Sequence, residues 1–152
     1  MAYTVPFYAV TTSIYQALAL SDVDVDFFDA STAVESIEDY FKKQEQYCYG
    51  ILGGSTADCL SNKDLEIWDM TLDMEIYSNY PGRKVVAQKL EAMLNFFASA
   101  EGIKTMQGNL EPYGFNLISI TVGNLRINLP IFSDKGIWQS GQTTLTFRVN
   151  KK

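Results

Sequence analysis

Between Glu66 and Tyr77 the chain alternates without a slip: Trp68, Met70, Leu72, Met74 and Ile76 fill one set of positions, and Asp69, Thr71, Asp73, Glu75 and Tyr77 the other. Successive side chains of a strand point to opposite faces, so this spacing predicts a strand with one buried and one wet face. Five large apolar side chains in a row along one face require a second layer to cover them. The chain offers one immediately. Ser78-Asn79-Tyr80-Pro81-Gly82 is turn composition, and Val86, Leu90, Met93, Leu94 and Phe97 then recur at helical spacing, predicting a helix that stops near Gly102.

The flanks extend the same pattern. Phe7, Val10, Ile14, Ala17 and Leu18 mark a first helix over Phe7 to Leu20, with Pro6 tolerated at its start. Val23, Val25 and Phe27 alternate with Asp22, Asp24 and Asp26, which predicts a short strand or extended turn over Ser21 to Asp29. Ser31 and Thr32 are candidate N-caps, and Glu35 lies three beyond Thr32 as a capping box requires, ahead of a second, short helix carrying Val34, Ile37 and Phe41. Tyr47, Tyr49 and Ile51 read as a strand that ends in a loop at Gly53-Gly54. After Gly102 the period returns to two, with Ile118, Ile120 and Val122, then Leu125, Ile127 and Leu129, and finally Leu145, Phe147 and Val149. Gly123-Asn124 reads as a tight turn between the first two runs, Pro130 as an edge marker or terminator, and Asp134 to Gln142 as a polar loop. The expected fold is α+β, one domain over residues 1–152, with a mixed, largely antiparallel sheet and two or three helices packed on one face.

Composition narrows function mainly by exclusion. The chain of 152 residues has no histidine, which removes the commonest general base and metal ligand near neutral pH. Cys48 and Cys59 are too few for a disulfide framework or a zinc site and are expected as reduced thiols in or near the core. No apolar run reaches the roughly 18 residues that cross a bilayer, and the N-terminus lacks the order of a signal peptide, so a cytoplasmic origin is expected. A net charge of −6 opposes tight nucleic-acid binding. It does suit a passage along which nucleic acid slides without sticking.

Candidate sites fail on spacing. Asp22, Asp24 and Asp26 begin like a calcium loop, yet Phe27 and Ala33 stand where Gly and Glu are required. The glycines of Gly50 to Ser55 lack the Lys of a phosphate loop. Asp69, Asp73 and Glu75 could pair as acid and base, but carboxylates two apart on a strand form its wet face. No catalytic, cofactor or metal site is predicted. Arg83 and Lys84 open a helix, where cations oppose the macrodipole; they read first as ordinary surface charges, with an acidic partner as the alternative.

Tyr77-Ser78-Asn79-Tyr80-Pro81-Gly82-Arg83-Lys84-Val85-Val86-Ala87, directly after a strand and opening a helix, resembles the tail-terminator (tail-completion) family of long-tailed bacteriophages. Tyr47-Cys48-Tyr49-Gly50 is similar to the family's Pro-Tyr strand, with Gln46 in place of the proline, and the likeness in order and spacing covers about residues 7 to 150. It implies a virion protein, assembled in the host cytoplasm, that forms a ring, a hexamer in this family. The ring caps the tail tube, meets a neck or connector protein and lets DNA pass through its lumen. On that resemblance Asp69, Asp73, Glu75, Tyr80, Arg83 and Lys84 are candidates for a lumen or subunit interface, and Asp134, Lys135 and Trp138 for a ring-stacking loop. A head-completion or stopper protein, a small carboxylate-dependent nuclease or hydrolase, and a non-viral adaptor binding through its acidic face are the competing readings.

Overall fold

The computed structural model describes residues 3–42, 44–60, 64–134 and 136–152. The described residues form helices α1 (Phe7–Ala19), α2 (Val34–Tyr40), α3 (Lys84–Ala98) and α4 (Ala100–Leu110) and strands β1 (Asp26–Asp29), β2 (Cys48–Cys59), β3 (Ile67–Ser78), β4 (Phe115–Ile127), β5 (Ile131–Ser133) and β6 (Gly136–Lys151). The sheet order is β1-β2-β3-β6-β4, with β5 pairing β6 beyond the end of β4. Only β1 and β2 are parallel. The α+β class and the mixed, largely antiparallel sheet are as expected.

The predicted strand lies at the centre of this sheet, with Trp68, Met70, Leu72, Met74 and Ile76 all buried on one face. Leu145, Phe147 and Val149 of β6 extend that face, and the stripe Val86, Leu90, Met93 and Phe97 of α3 packs over it. Phe97 meets Phe147 edge to face, their centroids 5.7 Å apart. α1 and α4 complete the layer. α2 departs from the expected arrangement, because its Val34 and Ile37 lie with Tyr49 and Tyr77 on the opposite sheet face.

Five local expectations are corrected. The helix expected to stop near Gly102 instead ends at Ala98, and a further helix, α4, follows at once. Ser99 makes the joint: its backbone is extended, its hydroxyl donates to the Phe96 carbonyl at 2.6 Å and accepts from the Gly102 amide at 3.0 Å. This N-cap restarts the helix within one residue. Gly53-Gly54 is no loop but a bulge inside β2, since Leu52 opposes Met74 while Ser55 opposes Leu72. Gly123-Asn124 is likewise a bulge, with Val122 opposite Leu145 and Leu125 opposite Thr143, so the two predicted strands are one. The polar stretch Asp134 to Gln142 is mostly strand: the chain reverses after Ser133 and β6 begins at Gly136, whose φ is +114°. Lys135 lies outside the described residues. The capping box also fails to form, because Ala33 is the N-cap of α2 and makes no side-chain cap, while Ser31 donates to Asp29 instead.

The α3–α4 joint depends on a missing side chain. A Cβ on Gly102 would stand 1.9 Å from the Phe96 carbonyl oxygen, a backbone atom that cannot swing aside, whereas one on Gly108 would meet nothing within 4 Å. Gly102→Ala is therefore expected to destabilise the chain, and Gly108→Ala to stabilise it by up to about 1 kcal/mol through helix propensity. Urea unfolding of both variants checks the opposite signs.

Candidate functional site: the outer sheet face and its hairpin

Alternation sends the second set of β3 side chains to the face away from α1, α3 and α4, where they meet matching positions of β6. Asp69 receives two hydrogen bonds from Arg148, Nε to Oδ1 at 2.8 Å and a terminal guanidinium nitrogen to Oδ2 at 2.9 Å. This paired fork holds the Asp69 carboxyl below the usual carboxylate range. Next along the strand, the hydroxyls of Thr71 and Thr146 share a hydrogen bond of 3.0 Å. Asp73 and Glu75 then border a shallow depression with Asn124, Arg126, Gln142 and Thr144.

Beyond Glu75 the face turns aromatic. The Tyr77 hydroxyl donates to Glu75, and burial, reinforced by that carboxylate, raises the Tyr77 phenol so that it keeps its proton. Tyr77 stacks on Tyr49 at 5.3 Å and 18°, and burial pushes the Tyr49 phenol up to about 12. Phe41, at the end of α2, stacks on Tyr47 at 4.4 Å. Trp138 sets its ring edgewise to both Tyr47, at 5.3 Å, and Tyr49, at 5.8 Å. The outer face thus grades from a hydrogen-bonded polar ladder to an aromatic block under α2.

The candidate residues therefore separate into groups. Asp69, Asp73 and Glu75 share the outer face, with Asp69 engaged by Arg148 and Glu75 by Tyr77. Tyr80 lies elsewhere, at a cleft with Asp24, Tyr47, Val85 and Lys89, and its amide donates to Ser78 Oγ at 3.1 Å. Arg83 and Lys84 are exposed at the start of α3. Trp138 is half-buried and anchors the base of the β5–β6 hairpin on Tyr47 and Tyr49, while Asp134 is exposed at the tip. Beside them the hairpin also offers apolar side chains to solvent: Phe132 is 75% exposed and Ile137 49%. Residue-by-residue reading missed them because apolar alternation signals burial. The signal that could have found them is the lack of charge over residues 114–133, where Arg126 stands alone.

No family model and no curated protein sequence matches the chain. Among solved structures it is similar to a chain in the virion of a native gene transfer agent particle. The superposition has a TM-score of 0.60 at 14% identity and covers 94% of this chain and 98% of that one. The two chains share a fold over nearly their whole lengths. No helix among the described residues is long and apolar enough to cross a membrane.

Two chemical consequences are measurable. Asp69 has a depressed folded value, so its contribution to stability is present above the ordinary value of 3.8 and is lost as pH falls through the lower folded one. The acid limb of a stability–pH curve from urea midpoints is expected to be shallower below pH 3.8 in Asp69→Asn. The thiols differ too, and only one matches the expectation of burial: Cys48 is half-buried, with burial pushing its pKa up to about 11, whereas Cys59 is exposed. Iodoacetamide at neutral pH is expected to modify Cys59 well before Cys48 in the native protein, with the difference lost in denaturant, as peptide mass spectrometry would record.

Proposed function

We propose that this chain is a structural protein of a phage-like particle, and specifically a tail terminator whose ring caps the tail tube and joins it to the head-side neck. The observation that carries the reading is the near-complete mutual coverage with a chain that sits in an assembled virion. A shared fold alone leaves the role open, and three features of this chain support the finer assignment. The Tyr77 to Ala87 stretch that resembles the terminator family forms a strand end, a turn with Gly82 at φ +79°, and a helix start. The outer face offers a hydrogen-bonding surface in which Asp69 is held by Arg148 and Glu75 by Tyr77. The net charge of −6 suits a lumen through which DNA moves without being held.

In this reading each subunit presents two different surfaces to its neighbours, and the contact closes because the rotation per subunit is fixed, giving a ring that is a hexamer in the terminator family. One ring surface stacks on the last ring of the tube, with the β5–β6 hairpin and its exposed Phe132 reaching the adjoining ring. Asp73 and Glu75 face the lumen or a neighbour, and Arg83 and Lys84 meet an acidic partner. The protein is non-enzymatic and needs no cofactor.

Particles produced without this chain are expected to have tails that lack a cap and fail to join heads, and adding the purified chain is expected to restore joining. Negative-stain electron microscopy, with mass spectrometry of purified particles, checks both. Normal joined tails without the chain, or particles from which it is absent, would refute the assignment.

A further inference from the structure

The hairpin leaves an open edge. β4 and β5 pair with β6 on one side and with no described strand on the other. Within this edge Leu129 is 78% exposed, Leu125 51% and Val122 39%, and Arg126 is the one charge among residues 114–133. Monomeric sheets guard such edges with charges, prolines or a covering loop, because unpaired amides and carbonyls template another strand. Pro130 interrupts the edge near its end, and Val122, Leu125 and Arg126 lie before it.

The opposite edge of the sheet is different in kind. It is β1, and residues 21–41 around it hold seven acidic residues and no Lys or Arg. Asp22, Asp24, Asp26 and Asp29 are exposed, and Lys89 reaches Asp24 only at 3.9 Å. Val34 and Tyr40 of α2 add exposed apolar surface there. Arg126 is on the other edge, whereas Lys89, at 3.9 Å from Asp24, and exposed Lys42 after α2 offset only part of the acidic charge at β1. The edges are thus complementary in charge, and both carry apolar side chains.

Strand direction fits as well. β1 runs parallel to β2, and each later neighbour in the order β2-β3-β6-β4 is antiparallel to the one before, so β4 runs opposite to β1. A second copy continuing the sheet in the same orientation would lay its β1 antiparallel to β4. We propose that the β4 edge of one copy, centred on Val122, Leu125 and Arg126, docks on the acidic β1–α2 edge of a second copy. This is a head-to-tail contact, and it rests on the ring reading above for its closure into a ring.

The test uses the full purified chain and two variants altered at exposed positions, Leu125→Asn on one edge and Asp22→Lys/Asp26→Lys on the other. Sedimentation velocity is expected to show self-association of the wild type, weakened about tenfold or more in each variant, by lost apolar contact at residue 125 in one and by lysines set against Arg126 in the other. Circular dichroism and thermal melting are expected to match the wild type. Mixing the two variants is expected to yield a one-to-one dimer that neither forms alone, since each retains the edge the other lacks. A wild type that stays monomeric at its highest soluble concentration, or a mixture that gives no dimer, would overturn the contact. If the dimer forms while particles lack the chain, the contact stands and the tail assignment falls. If the chain sits in particle rings while the variants stay apart, the reverse holds.

Discussion

The burial of one face of β3 is the constraint on which the rest of the molecule depends. Five side chains from Trp68 to Ile76 lose almost all contact with water, and each fully buried residue of this size contributes about 1.5 to 3 kcal/mol relative to exposure. A slip of one residue would exchange them for Asp69, Asp73 and Glu75, placing carboxylates against the apolar stripe Val86, Leu90, Met93 and Phe97 of α3. Register is therefore fixed at the centre of the sheet, and β2 and β6 inherit it through their pairing. The outer face is a consequence of that choice. Its polar ladder is what β3 must show to water once its apolar face is taken, and Arg148 and Thr146 of β6 convert that necessity into specific pairs.

Elements with a strong, unbroken period were legible in the sequence, and those interrupted by glycine or rich in polar residues were not. β3, α1 and the first part of the long helix follow directly from spacing. α4 escaped because the core stripe it presents is Gly102, Met106 and Leu110, in which the first position is a hydrogen atom rather than a side chain. Glycine there signals a stop when read locally, yet it permits the close approach of two helix ends. Gly53-Gly54 and Gly123-Asn124 misled in the same way, since the residues that make turns also make bulges, and only the partner strand decides between them. The first half of β6 was hidden because Gln139, Ser140 and Thr143 are buried though polar. Ser140 meets Asn128 by a 3.0 Å hydrogen bond, a pairing that local sequence cannot announce.

The candidate site was legible in part for the same reason. The wet face of β3 is a local property, so Asp69, Asp73 and Glu75 could be placed together from their spacing alone. What those carboxylates do depends on Arg148 and Tyr77, the first of them distant in sequence, and the fork at Asp69 and the hydrogen bond at Glu75 turn an acidic row into a structural surface. Trp138 shows the limit from the other side. It was a candidate for a ring-stacking loop, and the aromatic block of Tyr47 and Tyr49 claims its ring. The apolar side chains left outside are its neighbours on the hairpin.

That displacement gives the molecule its asymmetry. A sheet whose edges were alike would pair with its own twin about a two-fold axis, and such a contact saturates at a dimer. Here one edge is long, apolar and marked by a single arginine, and the other is short and acidic. At β1 a copy of the same edge would set acid against acid, whereas β4 would set Arg126 among those acids. In the proposed contact, unlike edges on opposite sides of one sheet would add head to tail, and the outcome would be a closed ring or an open filament according to the angle between successive copies. The right-handed twist of a sheet would make that angle non-zero, so an assembly built on the proposed contact would turn as it adds.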